Sequence, residues 1–469
     1  MARKNELPTL IAALLFTVAL LGGGAWVLMG WITGGPNPLI SPRNPADISV
    51  EDSLFSTERA DGSSGQSILP GEVSAAKQRG LDALAIRDFQ TAQAEFSATL
   101  QAEQNDPESL IYLNNAQIGD ANAHTIAVVV PVGSALNASL EIMRGVAQAQ
   151  TDINRDNSTV PLKVLLLDDE GDPETAVEVA RSLAAAESVL GVVGHYTSDS
   201  TLAAAAVYEA EGLPMVSPTS TAVSISNAGD YIFRTVPSDR LAAATLSRYM
   251  LNEINQQQAV VFFDSSSAYS RSVKSEFTTE LLSSGGNVVA DFDVSDPGFS
   301  AGQALQEAAE LGAQVIMLAL TADTNDIALQ IISVNQRELP MIGGDDMYNF
   351  NILDVGRANA EGLIVAVPWH ILSYEQSRFV SRSRQLWGGD VNWRTVMAYD
   401  AVSTLTAAID QNATREGIAT TLAEPDFSAS GATETVRFLP TGDRNQPSQL
   451  VKVEPGNRSG SGFDYVPLK

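Results

Sequence analysis

The chain contains no cysteine. That excludes disulfides, thiolate metal sites and a cysteine nucleophile. It also excludes a lipid carried on an N-terminal cysteine. Histidine is scarce: His124, His195 and His370 are the three in 469 residues, and they offer no metal-ligand spacing. Positive charge is scarce too, with 28 Lys and Arg against 56 Asp and Glu, a formal net charge of −28. A surface that acidic repels nucleic acid and anionic lipid, so no nucleic-acid partner is expected. There is no G-x-S-x-G, no H-E-x-x-H, no P-loop and no G-x-G-x-x-G after a strand. The chain therefore reads as a non-enzyme with no cofactor and no metal. Apolar residues are not lacking: they make up 44% of the chain, enough at this length for more than one domain.

Charge is also absent from Leu7 to Thr33, just after Arg3 and Lys4. About 20 apolar residues cross a bilayer, whereas a cleavable signal peptide has a core of ~7–15. Gly22, Gly23, Gly24 and Ala25 mimic a cleavage exit, but Trp26, Val27, Leu28, Met29 and Trp31 carry the apolar run past it. The expectation is an uncleaved transmembrane helix over residues 7–33. Its short tip stays in the cytoplasm and the bulk of the chain is periplasmic or extracellular, a single-pass protein of the cytoplasmic membrane. Residues 34–72, rich in Pro, Gly, Ser and Asp, read as a flexible linker. Residues 73–122 read as a short helical hairpin. Gly80, Phe89, Ala92, Phe96 and Leu100 resemble the small and apolar positions of a tetratricopeptide repeat, with Pro107 about three residues late. An ordinary pair of helices fits the same residues.

From Thr125 onward, strands alternate with helices. TIAVVVPV, PLKVLLLDDE, VLGVVG and LPMVSP are apolar runs of strand length. Between them lie ASLEIMRGVAQAQTDIN and PETAVEVARSLAAA, the latter opening on Pro173, which suits a first helical turn. The cycle restarts at AVVFFD and runs through NVVADFDV, AQVIMLAL and PMIGGD. This pattern predicts an α/β fold with two doubly wound lobes. Lobe 1 is expected over about 123–236 and 366–430, and lobe 2 over about 237–365 and 431–469. Residues 123–469 are expected to fold without the earlier helices.

Between the third strand and the next helix lies GHYTSDSTLAAAA, with hydroxyls crowded from Tyr196 to Thr201. Open α/β sheets bind ligands beyond the carboxyl ends of their strands, and helix N-termini offer free N–H groups to anions. The stretch therefore reads as a small-anion cradle with SPTST, residues 217–221, as its second wall. The alternative is plain capping by Asp199 or Ser200.

Several phrases resemble one family. LLLDDEGDPETAVEVARSL, VVGHYTSDSTLAAAAVYEAEGLPMVSPTSTA, YIFRTVPSD and AYDAV at 398–402 are similar to extracytoplasmic ligand-binding proteins of the branched-chain amino acid type, the type I periplasmic binding fold. The resemblance implies that Ser198, Thr219 and Thr221 hold a ligand α-carboxylate. It implies that Asp345, in PMIGGDDMYN, answers the ammonium and that Tyr269 stacks on the ligand. Thr321 stands at a strand end where relatives carry a bulky aromatic, and Ser134 lies in a first loop about one residue short. His195 copies a family histidine and reads as structural.

Two functions follow. In the first, the chain captures an amino acid or amide between its lobes and hands it to a membrane permease and ATPase complex, an ABC-type transporter, with residues 7–33 as the anchor. In the second, it is an envelope sensor or scaffold, with residues 73–122 binding a protein partner and the two-lobed module regulating.

Overall fold

A computed structural model describes residues 66–156 and 159–468. The anchor expected over residues 7–33 and nearly all of the expected linker lie outside the described residues. Among the described residues, no helix is long and apolar enough to cross a membrane.

Three helices come first: α1 (Ala75–Ala85), α2 (Phe89–Ala102) and α3 (Pro107–Ile118). Each begins where a short polar side chain meets a free backbone N–H: Ser74 caps α1, Asp88 caps α2, and Asp106 caps α3 just before Pro107. Gly80 lets α1 and α2 touch, since a Cβ there would lie 2.9 Å from the Phe96 ring. Lys77 is buried between Asp106 at 2.9 Å and Glu108 at 2.7 Å, so α1 and α3 are pinned by a satisfied ionic cluster.

The alternating pattern then becomes lobe 1. Its strands are β1 (His124–Val130), β2 (Leu162–Asp168), β3 (Val189–Val193), β4 (Met215–Ser217) and β5 (Ile232–Arg234). They form a parallel sheet in the order β2-β1-β3-β4-β5. The intervening helices are α4 (Leu136–Asn154), α5 (Pro173–Ala185) and α6 (Ser198–Glu211). β1 is buried along nearly its whole length, as expected of a strand covered on both faces.

Both edges of this sheet are occupied. On β2, the Asn115 side chain of α3 receives Val164 N–H at 3.1 Å and donates to Val164 C=O at 2.8 Å, as a neighbouring strand would. Asn114 of the same helix bonds Gln150 and Thr151 of α4. The boundary at 122/123 therefore cuts through a packed interface rather than a linker. On β5, Arg234 N–H donates to Gly442 C=O at 3.0 Å and a bridge joins Arg234 to Asp443. Gly442 is required there: its φ is +77° and a Cβ would sit 2.3 Å from the Ile232 carbonyl oxygen.

Lobe 2 contains α7 (Asp239–Tyr249), β6 (Gln258–Phe263), α8 (Ala268–Ser283), β7 (Asn287–Asp293), α9 (Ala301–Glu310), β8 (Val315–Ala319), α10 (Asn325–Asn335), β9 (Met341–Gly343), α11 (Arg357–Ala360) and β10 (Ile364–Val367). The chain returns to lobe 1 for α12 (Arg378–Trp387), α13 (Trp393–Ile409), α14 (Arg415–Ala423) and the short pair β11 (Ala429–Ser430) and β12 (Thr435–Val436). It then closes lobe 2 with β13 (Gln449–Pro455) and β14 (Phe463–Pro467). The sheet order is β14-β13-β10-β9-β8-β6-β7, with β13 and β14 antiparallel. The last crossing falls after the Asp443–Gln446 stretch, later than the expected 430/431. Buried pairs hold that stretch to lobe 1: Arg234 with Asp443 at 2.6 Å, and Arg444 with Asp400 of α13.

Candidate functional site

The carboxyl ends of β3 and β4 face those of β6, β8 and β9 across the gap between the lobes. A cavity of about 330 Å³ lies there, lined by Ser134, Tyr196, Ser198, Asp199, Thr219, Tyr269, Thr321, Asp345, Asp346 and Trp393 among others. Six of the seven residues singled out from the sequence line it. The seventh, Thr221, does not: it is buried beside the wall, its carbonyl accepts from Asp239 N–H at 2.9 Å, and its hydroxyl is turned to the buried Asp239 carboxylate.

On the lobe 1 side, the hydroxyl cluster has a division of labour. Neither Asp199 nor Ser200 caps α6; Thr197 does, accepting from Ser200 N–H at 3.0 Å. Ser198 is thus the first helical residue, and first-turn N–H groups have no intrahelical acceptor. Together with the helix dipole they present partial positive charge to the cavity. The Ser198 hydroxyl accepts from Ala222 N–H at 3.3 Å, which leaves its own proton to donate. Thr219 spends its proton on the Tyr196 carbonyl at 2.8 Å and can offer only lone pairs. The Asp199 carboxylate turns toward lobe 2 and accepts from Ala268 N–H at 2.9 Å.

On the lobe 2 side, Asp345 is 7% exposed and accepts from the Tyr269 hydroxyl at 2.8 Å. Burial, reinforced by the nearby Asp346 and Asp239 charges, pushes its pKa well above the usual carboxylate range. An arriving cation would restore the ionised form. Gly344 makes the Tyr269–Asp345 contact possible, because a Cβ there would lie 2.3 Å from the Tyr269 hydroxyl. Tyr269 therefore acts through a hydrogen bond to the acid as well as lining the wall. The Thr321 hydroxyl pairs with Thr324 at 3.1 Å and shapes a turn.

Sequence reasoning missed Trp393 and Arg394, and it named Tyr196 only as the start of the hydroxyl cluster. Arg394 at the start of α13 donates to Asp346 of lobe 2 at 2.8 Å and lies 4.3 Å from the Trp393 ring. The pair joins the lobes beside the cavity. Asp199–Ala268 is a second joint, and a third runs from Val223 N–H to the Ser272 hydroxyl at 3.0 Å. The available signal was the one cation of a largely buried helix, in its first turn, in a chain with few cations. His195 stays outside the site. Fully buried, it bonds Asp169 at 2.7 Å and the Tyr208 hydroxyl at 3.0 Å, which is a structural arrangement. No cluster of His, Cys, Asp and Glu able to hold a metal occurs among the described residues.

Known proteins share this fold. The model of a family described as periplasmic binding protein matches residues 123–460. An amino acid binding protein of Pseudomonas aeruginosa is 31% identical over 157 residues, 32% of this chain and 40% of the relative. A leucine-specific-binding protein of Salmonella typhimurium is 26% identical over 239 residues, 48% of this chain and 61% of the relative. The chain thus spans less than two thirds of either curated relative. Among solved structures, a leucine binding protein from Thermotoga maritima superposes with a TM-score of 0.64 at 21% identity, covering 73% of this chain and 98% of that one. A Streptococcus pneumoniae substrate binding protein in complex with isoleucine gives 0.63 at 21%, covering 74% and 100%. At that identity the likeness concerns the fold. The family match spans well over half of the chain, and the chain belongs to the periplasmic binding protein family.

Proposed function

We propose that this chain is an extracytoplasmic solute-binding protein that captures a zwitterionic amino acid between its lobes and delivers it to an ABC-type transporter. One observation carries the reading. A helix N-terminus bearing the Ser198 hydroxyl and a buried acid, Asp345, line the same cavity between the lobes. A carboxylate is held at the first and an ammonium at the second, each in a desolvated site where a charge-assisted hydrogen bond contributes about 1.5–3 kcal/mol. Thr219 adds a lone pair beside Ser198, and Thr221 supports the wall from behind. Ser134 and Thr321 bound the cavity rather than grip the ligand. The relatives' names, which refer to leucine, isoleucine and valine, support the amino-acid class. The uncharged run over residues 7–33 supports attachment to the cytoplasmic membrane, with the two lobes outside.

The helices of residues 73–122 resemble one repeat unit, but their buried face is spent on lobe 1 through Asn114 and Asn115. That favours the binding role over a scaffold. Thermal unfolding of the full chain with each amino acid and its amide is the test. A ligand at about 100 times its dissociation constant adds about 2.7 kcal/mol of stability. Absence of any shift across amino acids would remove the assignment.

A further inference from the structure

The cavity between the lobes continues into a neighbouring chamber of about 730 Å³. Ser134, Ala135, Tyr196, Ala322, Asp323 and Asp346 line both, so they mark the junction. The charges along this path do not balance. Five acids line the first cavity, Asp199, Asp264, Asp323, Asp345 and Asp346, and its lining includes no Lys, Arg or His. The neighbouring chamber adds two arginines, but each already has an acid. Arg394 pairs with Asp346 at 2.8 Å and Arg144 with Glu141 at 2.7 Å. The chamber also adds one further acid, Asp326 of α10.

The acids are not equivalent. Asp199 accepts from Ala268 N–H, Asp264 from Ser266 N–H at 2.8 Å, and Asp345 from the Tyr269 hydroxyl. Asp323 and Asp326 are exposed and make no hydrogen bond or ion pair among the described residues. Asp323 sits at the junction itself, after β8, close enough to Asp346 for the two charges to repel. Nor do the acids converge on a point: no group of them able to hold a metal ion occurs among the described residues. A cation that answers both Asp345 and Asp323 is therefore carried on an organic chain. The path between the chambers suits the chain, since Ala135, Ala322 and the Tyr196 ring line it. A methylene stem packs on such surface while its charged end reaches beyond it.

We propose that the ligand is a dibasic amino acid, with an ammonium or guanidinium at the end of its side chain. Its α-carboxylate and α-ammonium occupy the first cavity, at Ser198 and Asp345. Its stem passes Ala135 and Ala322, and its terminal cation meets Asp323, with Asp326 beyond. A ligand of net positive charge offsets the excess of acids, which a simple zwitterion leaves in place. The net charge of −28 on the whole chain draws such a ligand in from a distance. This inference rests on the amino-acid reading of the cavity.

Calorimetry on the full chain with lysine and norleucine tests it, using wild type, Asp323→Asn and Asp326→Asn. Norleucine has the same stem without the terminal ammonium. Both substitutions keep the shape of an exposed side chain, so the variants are expected to fold. Lysine is expected to bind about fivefold or more tightly than norleucine, the upper end for an ion pair open to solvent. Added salt should narrow that advantage. Most of it should vanish in Asp323→Asn, and a smaller part in Asp326→Asn, while norleucine affinity stays unchanged. Norleucine binding the wild type as tightly as lysine would overturn the dibasic ligand and leave the amino-acid reading intact. So would a lysine advantage that survives in both variants. If neither compound binds, the amino-acid reading itself falls, and this inference with it.

Discussion

Ser198 and Asp345 carry opposite halves of the proposed recognition, so their variants should fail differently. Ser198→Ala is expected to weaken every carboxylate ligand by about tenfold or more, the loss of one charge-assisted hydrogen bond. Asp345→Asn should weaken amino acids more than ligands without an ammonium. Equal losses would remove its ammonium role. The raised pKa of Asp345 also gives the binding a pH signature. The free site holds a proton that an incoming ammonium must displace. Affinity should therefore rise with pH until the free Asp345 ionises on its own, and below that point binding should release protons into the buffer. Titrations in buffers of different ionisation enthalpy measure that release, which should shrink in Asp345→Asn. Asp239 adds a separate effect on stability. Burial pushes its pKa up to about 6, above its unfolded value of 3.8. The unfolded chain releases that proton first, so the contribution of Asp239 to stability falls as pH rises between those values and stays low above them. Asp239→Asn should flatten this part of the pH–stability curve. An unchanged slope would show that the group does not titrate in that window.

At the scale of elements, α3 matters more than its length suggests. Asn115→Leu leaves the buried N–H and C=O of Val164 without partners and should cost about 2 kcal/mol or more in denaturant unfolding. A chain beginning at residue 123 should lose more, because Asn114, Asn115 and the Lys77 cluster leave together. Full native stability in that truncation would mean that the helices are only an appendage. The strands of both lobes were legible because burial on two faces demands continuous apolar runs such as Ile126–Val130 and Val315–Ala319. Pro173 marked a helix start for an equally local reason. Asn115 was not legible: one amide in a helix looks the same whether it meets water or the edge of β2, about fifty residues on. The late return to lobe 2 was hidden likewise, since Arg234–Asp443 and Arg444–Asp400 are long-range pairs. At the site, Ser198 and Asp345 could be placed from local phrases. Arg394 could not, because its meaning depends on Asp346 in the other lobe.

For the whole molecule, Arg394–Asp346, Asp199–Ala268 and Val223–Ser272 link the two lobes across the cleft. Both partners of the ion pair are mostly buried, so salt should screen it weakly. Arg394→Met strands Asp346 beside Asp345 and should favour separation of the lobes. Small-angle scattering of the ligand-free variant would then give a larger radius of gyration than wild type, and ligand affinity would drop. An unchanged radius would place the closing energy elsewhere. The occupied edges of the lobe 1 sheet have a consequence of a different kind. An exposed strand edge is a template onto which another molecule can add its own strand, the first step of edge-to-edge aggregation. In lobe 1, that position is filled on β2 by the Asn115 amide and on β5 by the Gly442–Asp443 segment. Lobe movement can thus expose the ligand cavity while keeping these edges covered, and repeated opening need not favour self-association.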